Sequence, residues 1–170
     1  MIIAISGISN AGKSRLAKQL AKYYRYQKKV SAIILCQDDY VRPTGEILLI
    51  NGHTDWETPD SIDYDKYYEA VVKSKAQYDI VIAEGLFVCY DPRLLRLYDK
   101  FIYINIDKTT FFNRKRKDLR WGKEPEWYIE HIWQSNNKYC LQMEERKNAF
   151  QLSGKLPLDL ASVIRYLEEE

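Results

Sequence analysis

The first fourteen residues constrain what this chain can fold into more than any other stretch. An apolar run, Ile2 to Ser6, leads into Gly7-Ile8-Ser9-Asn10-Ala11-Gly12-Lys13-Ser14, and a helical pattern then runs from Lys13 to Tyr26. The octapeptide matches G-x-x-x-x-G-K-[ST] and stands after an expected strand and at the opening of a helix, where its mechanism requires it. The glycines let backbone N–H groups turn inward around phosphates, and the helix N-terminus adds its positive dipole end. Lys13 can reach the β and γ phosphates of ATP, and the Ser14 hydroxyl can meet magnesium. By chance the pattern would arise in a chain of this length on the order of 1% of the time. The structural alternative is a glycine-rich turn without a ligand.

Beyond this cradle, short apolar runs alternate with longer amphipathic stretches. Ser31 to Leu35, Ile80 to Ala83, Phe101 to Ile106 and Ala149 to Leu152 join Ile2 to Ser6 as expected strands. Helical patterns follow at Ser61 to Ala76, Pro92 to Tyr98, Thr109 to Leu119, Pro125 to Arg146 and Pro157 to Glu169. Their starts carry acidic or proline signals: Asp60 before Ser61, Asp91-Pro92, Asp107 before Lys108, and Glu124-Pro125. Strands apolar on both faces, alternating with helices, predict an α/β chain of the P-loop NTPase fold. Its five-stranded parallel sheet should carry helices on both faces and a small lid at about residues 114–126.

At 170 residues, 46% hydrophobic and 29% charged, one domain spanning 1–170 can bury a core without disulfide or metal staples. Val41 to Pro59 is the one long irregular stretch, and such loops in compact domains often bind ligands. The net charge of +2, with Lys and Arg clustered only around 114–123, offers no broad basic face, so no nucleic-acid partner is expected. Met1 to Ile5 is too short for a signal h-region or a membrane span, so no membrane partner is expected either. The cysteines Cys36, Cys89 and Cys140 are far apart and include no C-x-x-C pair, which points to a reducing, cytoplasmic setting.

In an open α/β sheet, ligands sit beyond the carboxyl ends of the strands. Two of those ends are acidic here: Gln37-Asp38-Asp39-Tyr40 follows the second expected strand, and Glu84-Gly85 follows the third. Phosphoryl transfer to an alcohol needs one carboxylate to accept the hydroxyl proton and another to hold magnesium or its waters. Asp38 is assigned as the base, and Ser14, Asp38 and Glu84 as the metal side. The structural alternatives are that Asp38 or Asp39 caps a turn and that Glu84 hydrogen-bonds the loop.

The segment Asn113 to Lys123 resembles a lid that lends arginine charge to a migrating phosphoryl group, with Arg114 and Arg116 as candidates. A solvated helix face would have the same composition. Trp56 and Trp121 lie in polar, loop-like contexts where a flat ring can stack on a heterocyclic base. Trp127, Tyr128 and Trp133 are expected in the core. His131 is expected to be packed and hydrogen-bonded, and His53 to be an exposed loop residue.

These residues resemble the uridine kinase-like branch of P-loop kinases and, within it, the nicotinamide riboside kinases. Gly7 to Ser14 fits the family's phosphate loop, Gln37-Asp38-Asp39-Tyr40 its Q-D-D-aromatic catalytic loop, and Ile82-Ala83-Glu84-Gly85 its I-x-E-G strand end. Trp56-Glu57-Thr58-Pro59-Asp60 is similar to the segment whose ring flanks the acceptor base and whose carboxylate binds ribose hydroxyls. Uridine kinases carry a base-reading hairpin before the third strand, whereas here the helix from Ser61 passes almost directly into Asp79-Ile80-Val81. Trp127 to Trp133 followed by Lys138-Tyr139 resembles the H-x-W and K-Y pattern of nicotinamide riboside kinases. Glu57 stands where the family has Asp, and Trp replaces Tyr at both stacking positions.

The resemblance implies nucleotide contacts from Gly7, Ser9, Asn10, Ala11, Gly12, Lys13, Ser14, Arg15 and Arg114. It implies catalysis by Asp38, Lys13 and Arg116, and acceptor contacts from Asp38, Tyr40, Trp56, Glu57, Arg116 and Trp121. Ser153-Gly154-Lys155 falls where the family's loop covers adenine, or forms a plain turn. The expected activity is ATP- and magnesium-dependent phosphorylation of a nucleoside 5′-hydroxyl, nicotinamide riboside first, with a place in NAD biosynthesis. The alternatives are a kinase for uridine or another small alcohol such as pantothenate, a nucleotide-binding regulatory switch, and a degenerate kinase that only binds ligand.

Overall fold

The computed structural model describes residues 1–120, 122–144 and 149–169, with the backbone alone for 141–144. Its strands are β1 (Ile2–Gly7), β2 (Ala32–Cys36), β3 (Leu49–Ile50), β4 (His53–Thr54), β5 (Ile80–Glu84), β6 (Lys100–Asn105) and β7 (Phe150–Ser153). Its helices are α1 (Lys13–Tyr23), α2 (Tyr64–Gln77), α3 (Pro92–Leu95), α4 (Lys108–Lys115), α5 (Glu126–Glu144) and α6 (Leu160–Glu168). The five longer strands form a parallel sheet in the order β2-β5-β1-β6-β7, as expected from their two-faced apolar patterns.

Alternation along each strand divides the core in two. Ile3 and Ile5 of β1, Ile80 and Ile82 of β5, and Ile102 and Ile104 of β6 face α1 and α6, where Leu16, Leu20, Val163 and Leu167 close the layer. Ile2, Ala4, Val81, Ala83 and Tyr103 face the other way and pack with Tyr67 and Val71 of α2 and Leu94 of α3. A fully buried isoleucine such as Ile3 or Ile104 contributes about 1.5–3 kcal/mol, so these two layers hold the sheet.

Several helix ends differ from expectation, each for a local reason. α2 begins at Tyr64 rather than Ser61, because Asp63 is the residue whose carboxylate caps it, accepting from Lys66 N–H at 3.1 Å. Ser61 instead turns its hydroxyl to the carbonyls of Thr58 and Trp56. α6 begins at Leu160, capped by Asp159, and α4 begins at Lys108, capped by Asp107. α4 ends at Lys115 rather than Leu119, since Asp118 draws back the Arg120 backbone N–H and guanidinium into a turn. α3 is a single turn. The expected helix end at Arg146 lies outside the described residues. The Val41–Pro59 stretch, expected to be irregular throughout, holds a short hairpin. β3 and β4 are joined by Asn51-Gly52, both at positive φ (49° and 78°), a two-residue turn matching strand twist.

Candidate active site

The parallel order places three strand ends side by side. β5 lies between β1 and β2, with Glu84 opposite Ile5 on one side and Cys36 on the other. The phosphate loop therefore leaves β1 on one flank of Glu84, and the Asp38 turn leaves β2 on the other. Glu84 is 3% exposed. Burial first, then the charges of Glu84 and Asp38, push the neighbouring Cys36 thiol up to about 12, so it stays protonated beside these carboxylates.

The loop from Gly7 to Ser14 has the backbone that a phosphate cradle needs. Gly7 sits at φ 145° against β6, where an added Cβ would lie 2.5 Å from the Ile104 carbonyl oxygen, so the loop can leave the sheet only with glycine here. Asn10 adopts φ 61°, Gly12 starts α1 at φ 112°, and no side chain caps that helix. The first N–H groups of α1 are left for a ligand. Ile8 and Ala11 are buried, Ser9 is half-buried, and Ser14 and Arg15 are exposed on the first turn. Lys13 Nζ donates to the Ile8 carbonyl at 3.2 Å, folded back over its own loop.

The Asp38 side is anchored to the same strand end. Gln37 Oε1 accepts from Phe87 N–H at 2.8 Å, and a methyl added at Gly85 would collide with Gln37. Asp38 and Asp39 lie exposed on a short 3-10 turn, Gln37–Tyr40. Tyr40 packs on Tyr67, with ring centres 5.0 Å apart, and its carbonyl accepts from Asp63 N–H at 2.8 Å, tying the turn to the start of α2.

Glu57, expected on the acceptor side, is a strongly perturbed carboxyl of this region. Burial pushes its carboxyl up to about 7, against the opposing charges of Lys115 and then Lys13. Its Oε2 is buried without a hydrogen-bond partner. A carboxylate desolvated near two lysines and left with an unpartnered oxygen is costly unless a polar group meets it. Trp56 beside it is 40% exposed. Trp121 lies outside the described residues.

The lid cations divide by helical phase. Lys115, four residues after the buried Phe111, turns inward, is 7% exposed and pairs with Glu124 at 3.0 Å. Arg116, four residues after Phe112, lies over that ring with its guanidinium carbon 5.2 Å from the centre and pairs with Glu126 at 2.8 Å on the outer surface. The structure thus brings Lys115, rather than Arg116, to Lys13 and Glu57. Arg114 spans the Asn10 and Gly154 carbonyls at 3.1 and 2.8 Å, joining the lid helix, the phosphate loop and the turn after β7. Arg120 donates to Asn10 Oδ1 at 3.0 Å and is held by Asp118. Lys115 and Arg120 were not singled out in the sequence. The i, i+4 spacing from Phe111 was the available signal for Lys115.

Glu84 ends β5, Asp38 follows β2 and Ser14 lies on the first turn of α1 after β1, and all three carry hard oxygens of the kind magnesium takes. Among the described residues no group of three or more His, Cys, Asp or Glu stands close enough to form a cage, so an ion here would draw further oxygens from nucleotide and water. Also among the described residues, no helix is long and apolar enough to cross a membrane.

No family model matches the chain. Human nicotinamide riboside kinase 1 is 23% identical over 163 residues, covering 85% of this chain and 78% of its own length. The uridine kinase of Mycoplasma genitalium is 27% identical over 149 residues, covering 72% and 69%. Among solved structures, a gluconokinase from Sinorhizobium meliloti superposes with a TM-score of 0.59 at 14% identity, over 96% of this chain and 87% of its own. With this sheet order, this phosphate cradle and these likenesses, the chain has the P-loop kinase fold and resembles the nicotinamide riboside and uridine kinases.

Proposed function

We propose that the protein transfers the γ-phosphate of ATP to the 5′-hydroxyl of a nucleoside, with nicotinamide riboside as the first acceptor to test. The observation that carries this reading is Glu57: a buried carboxylate with an unpartnered oxygen, facing Lys13 and Lys115 across from an open phosphate cradle. A nucleotide switch needs no such acceptor-side acid. Vicinal ribose hydroxyls would satisfy Glu57 Oε2, and Trp56, exposed next to it, would lie against the base.

In this reading the cradle N–H groups and Lys13 hold the β and γ phosphates, and Arg114 and Arg120 fix the loop through Asn10. Asp38, exposed at the end of β2, accepts the proton of the attacking hydroxyl. Lys115 lies where it can oppose charge on the equatorial oxygens once Glu124 releases it. Magnesium, held by Ser14 and through Asp38 and Glu84, would neutralise the β and γ oxygens. The likeness to a uridine kinase keeps uridine in the test panel.

The test is ADP release from ATP and magnesium with nicotinamide riboside, uridine or cytidine, in the wild type and in Asp38→Ala. The reading predicts that one nucleoside accelerates ADP release, yields its 5′-monophosphate, and loses that turnover in Asp38→Ala. ADP release that no acceptor changes, or that survives Asp38→Ala, contradicts it.

A further inference from the structure

One side-chain atom ties the Glu57 backbone to α5. Asp55 Oδ1 accepts the Glu57 backbone N–H at 3.1 Å and also meets His131 Nε2 at 2.8 Å. A carboxylate oxygen can only accept, so Nε2 carries the proton and donates. Both side chains are largely buried, at 17% and 18% exposed. The Ser135 hydroxyl lies 3.5 Å from the same nitrogen, and the Tyr128 ring centre lies 5.8 Å from that of the imidazole. Further contacts bind the same segment to α5: the Tyr128 hydroxyl donates to the Thr54 carbonyl at 3.3 Å, and the His53 ring meets Trp127 edge-on at 5.1 Å and stacks on Tyr128 at 6.0 Å. None of these touches the atom that fixes the Glu57 backbone.

We infer that His131 and Asp55 form a positioning pair, in which the imidazole locks the Asp55 rotamer and Asp55 in turn sets the reach of the Glu57 carboxylate toward the acceptor. This rests on the proposed kinase reading. The geometry gives it a direction. An unlocked Asp55 can leave the Glu57 N–H, and Glu57 then loses the backbone orientation that holds its carboxyl near Lys115. Glu124, the partner of Lys115, lies two residues before α5, so the helix that carries His131 also follows directly on the lid segment. The acceptor contact and the lid thereby adjoin one element. Among the described residues, neither His131 nor Asp55 hydrogen-bonds to the phosphate loop, so the pair is expected to act on acceptor binding far more than on ATP binding.

The experiment is steady-state kinetics with nicotinamide riboside, uridine and cytidine on wild type, His131→Leu, His131→Gln and Asp55→Ala. His131→Leu and Asp55→Ala are expected to raise the acceptor KM about tenfold, the effect of losing one charge-assisted hydrogen bond, with the ATP KM within about twofold. His131→Gln, whose amide can donate from a similar reach, is expected to recover acceptor KM to within about threefold of wild type. An unchanged acceptor KM in His131→Leu, or acceptor and ATP KM rising together, overturns the inference. If the wild type turns over none of the three nucleosides, the kinase reading falls and the pair is judged by amide hydrogen exchange. Faster exchange at Glu57 in His131→Leu than in wild type upholds the pair, and equal exchange removes it.

Discussion

The phosphate loop and the lid both present cations, and they hold them in opposite ways. Around the loop the partners are backbone carbonyls: Lys13 rests on Ile8, and Arg114 bridges Asn10 and Gly154. In the lid three cations are held by carboxylates: Lys115 by Glu124, Arg116 by Glu126 and Arg120 by Asp118. A carbonyl partner is fixed by the fold and carries no net charge. A carboxylate partner competes with a phosphate for the same cation; the exposed Arg116–Glu126 pair contributes little to stability, unlike the buried Lys115–Glu124 pair. The loop cations are thus held by the fold itself, while these three lid cations are held by carboxylates that another anion could replace.

The largest expected effect tests the loop side. Lys13→Met should lower kcat by about 10³ while leaving the folded state intact, since its partner Ile8 is a neutral carbonyl. Turnover within tenfold of wild type would contradict the loop's role. The lid is sharpened by a pair of variants. Lys115→Met should lower kcat about 10²-fold and destabilise the protein by about 3 kcal/mol, because it strands Glu124 in a largely buried site. Arg116→Met, on the outer face of the same helix, should change kcat by less than about threefold. Equal effects from the two would erase the inward-outward distinction.

Glu57 links the two regions and gives a pH signature. Its folded carboxyl titrates near 7, above the ordinary 4.5, so between those values the folded protein binds a proton that the unfolded chain has released. Stability should therefore fall as pH rises from about 4.5 to 7, while acceptor KM improves over the same rise as the carboxylate ionises. Glu57→Gln should flatten both trends and raise acceptor KM about tenfold or more at pH 8. Thermal melts and acceptor titrations across pH 5–8 check the two signs separately. The smallest effect belongs to the hairpin. Asn51→Ala, at φ 49°, should cost about 1 kcal/mol in a chemical denaturation and leave both KM values unchanged.

This contrast also explains what was legible in the sequence. The loop was readable because its function lies in backbone geometry, which Gly7, Gly12 and the flanking strand and helix dictate locally. The strands were readable because two-sided burial writes continuous apolar runs. The lid was harder to read: eleven residues rich in Lys and Arg give no direction until α4 is known to end at Lys115, and the inward face then follows from Phe111. The hairpin carried a readable signal in Asn51-Gly52, overshadowed by the polar composition around it. The His131 contact to Asp55 joins residues 76 apart in sequence, and no local pattern encodes it.

The central claim is that an acceptor occupies the space between Glu57, Lys115 and Asp38, opposite the phosphate loop. The most direct test is a crystal structure with a non-hydrolysable ATP analogue, magnesium and the nucleoside that the activity panel selects. The account predicts ribose hydroxyls on the Glu57 carboxylate, the 5′-hydroxyl within hydrogen-bonding distance of Asp38, and Lys115 parted from Glu124. A nucleoside bound away from Glu57, with the Lys115–Glu124 pair intact, would contradict it.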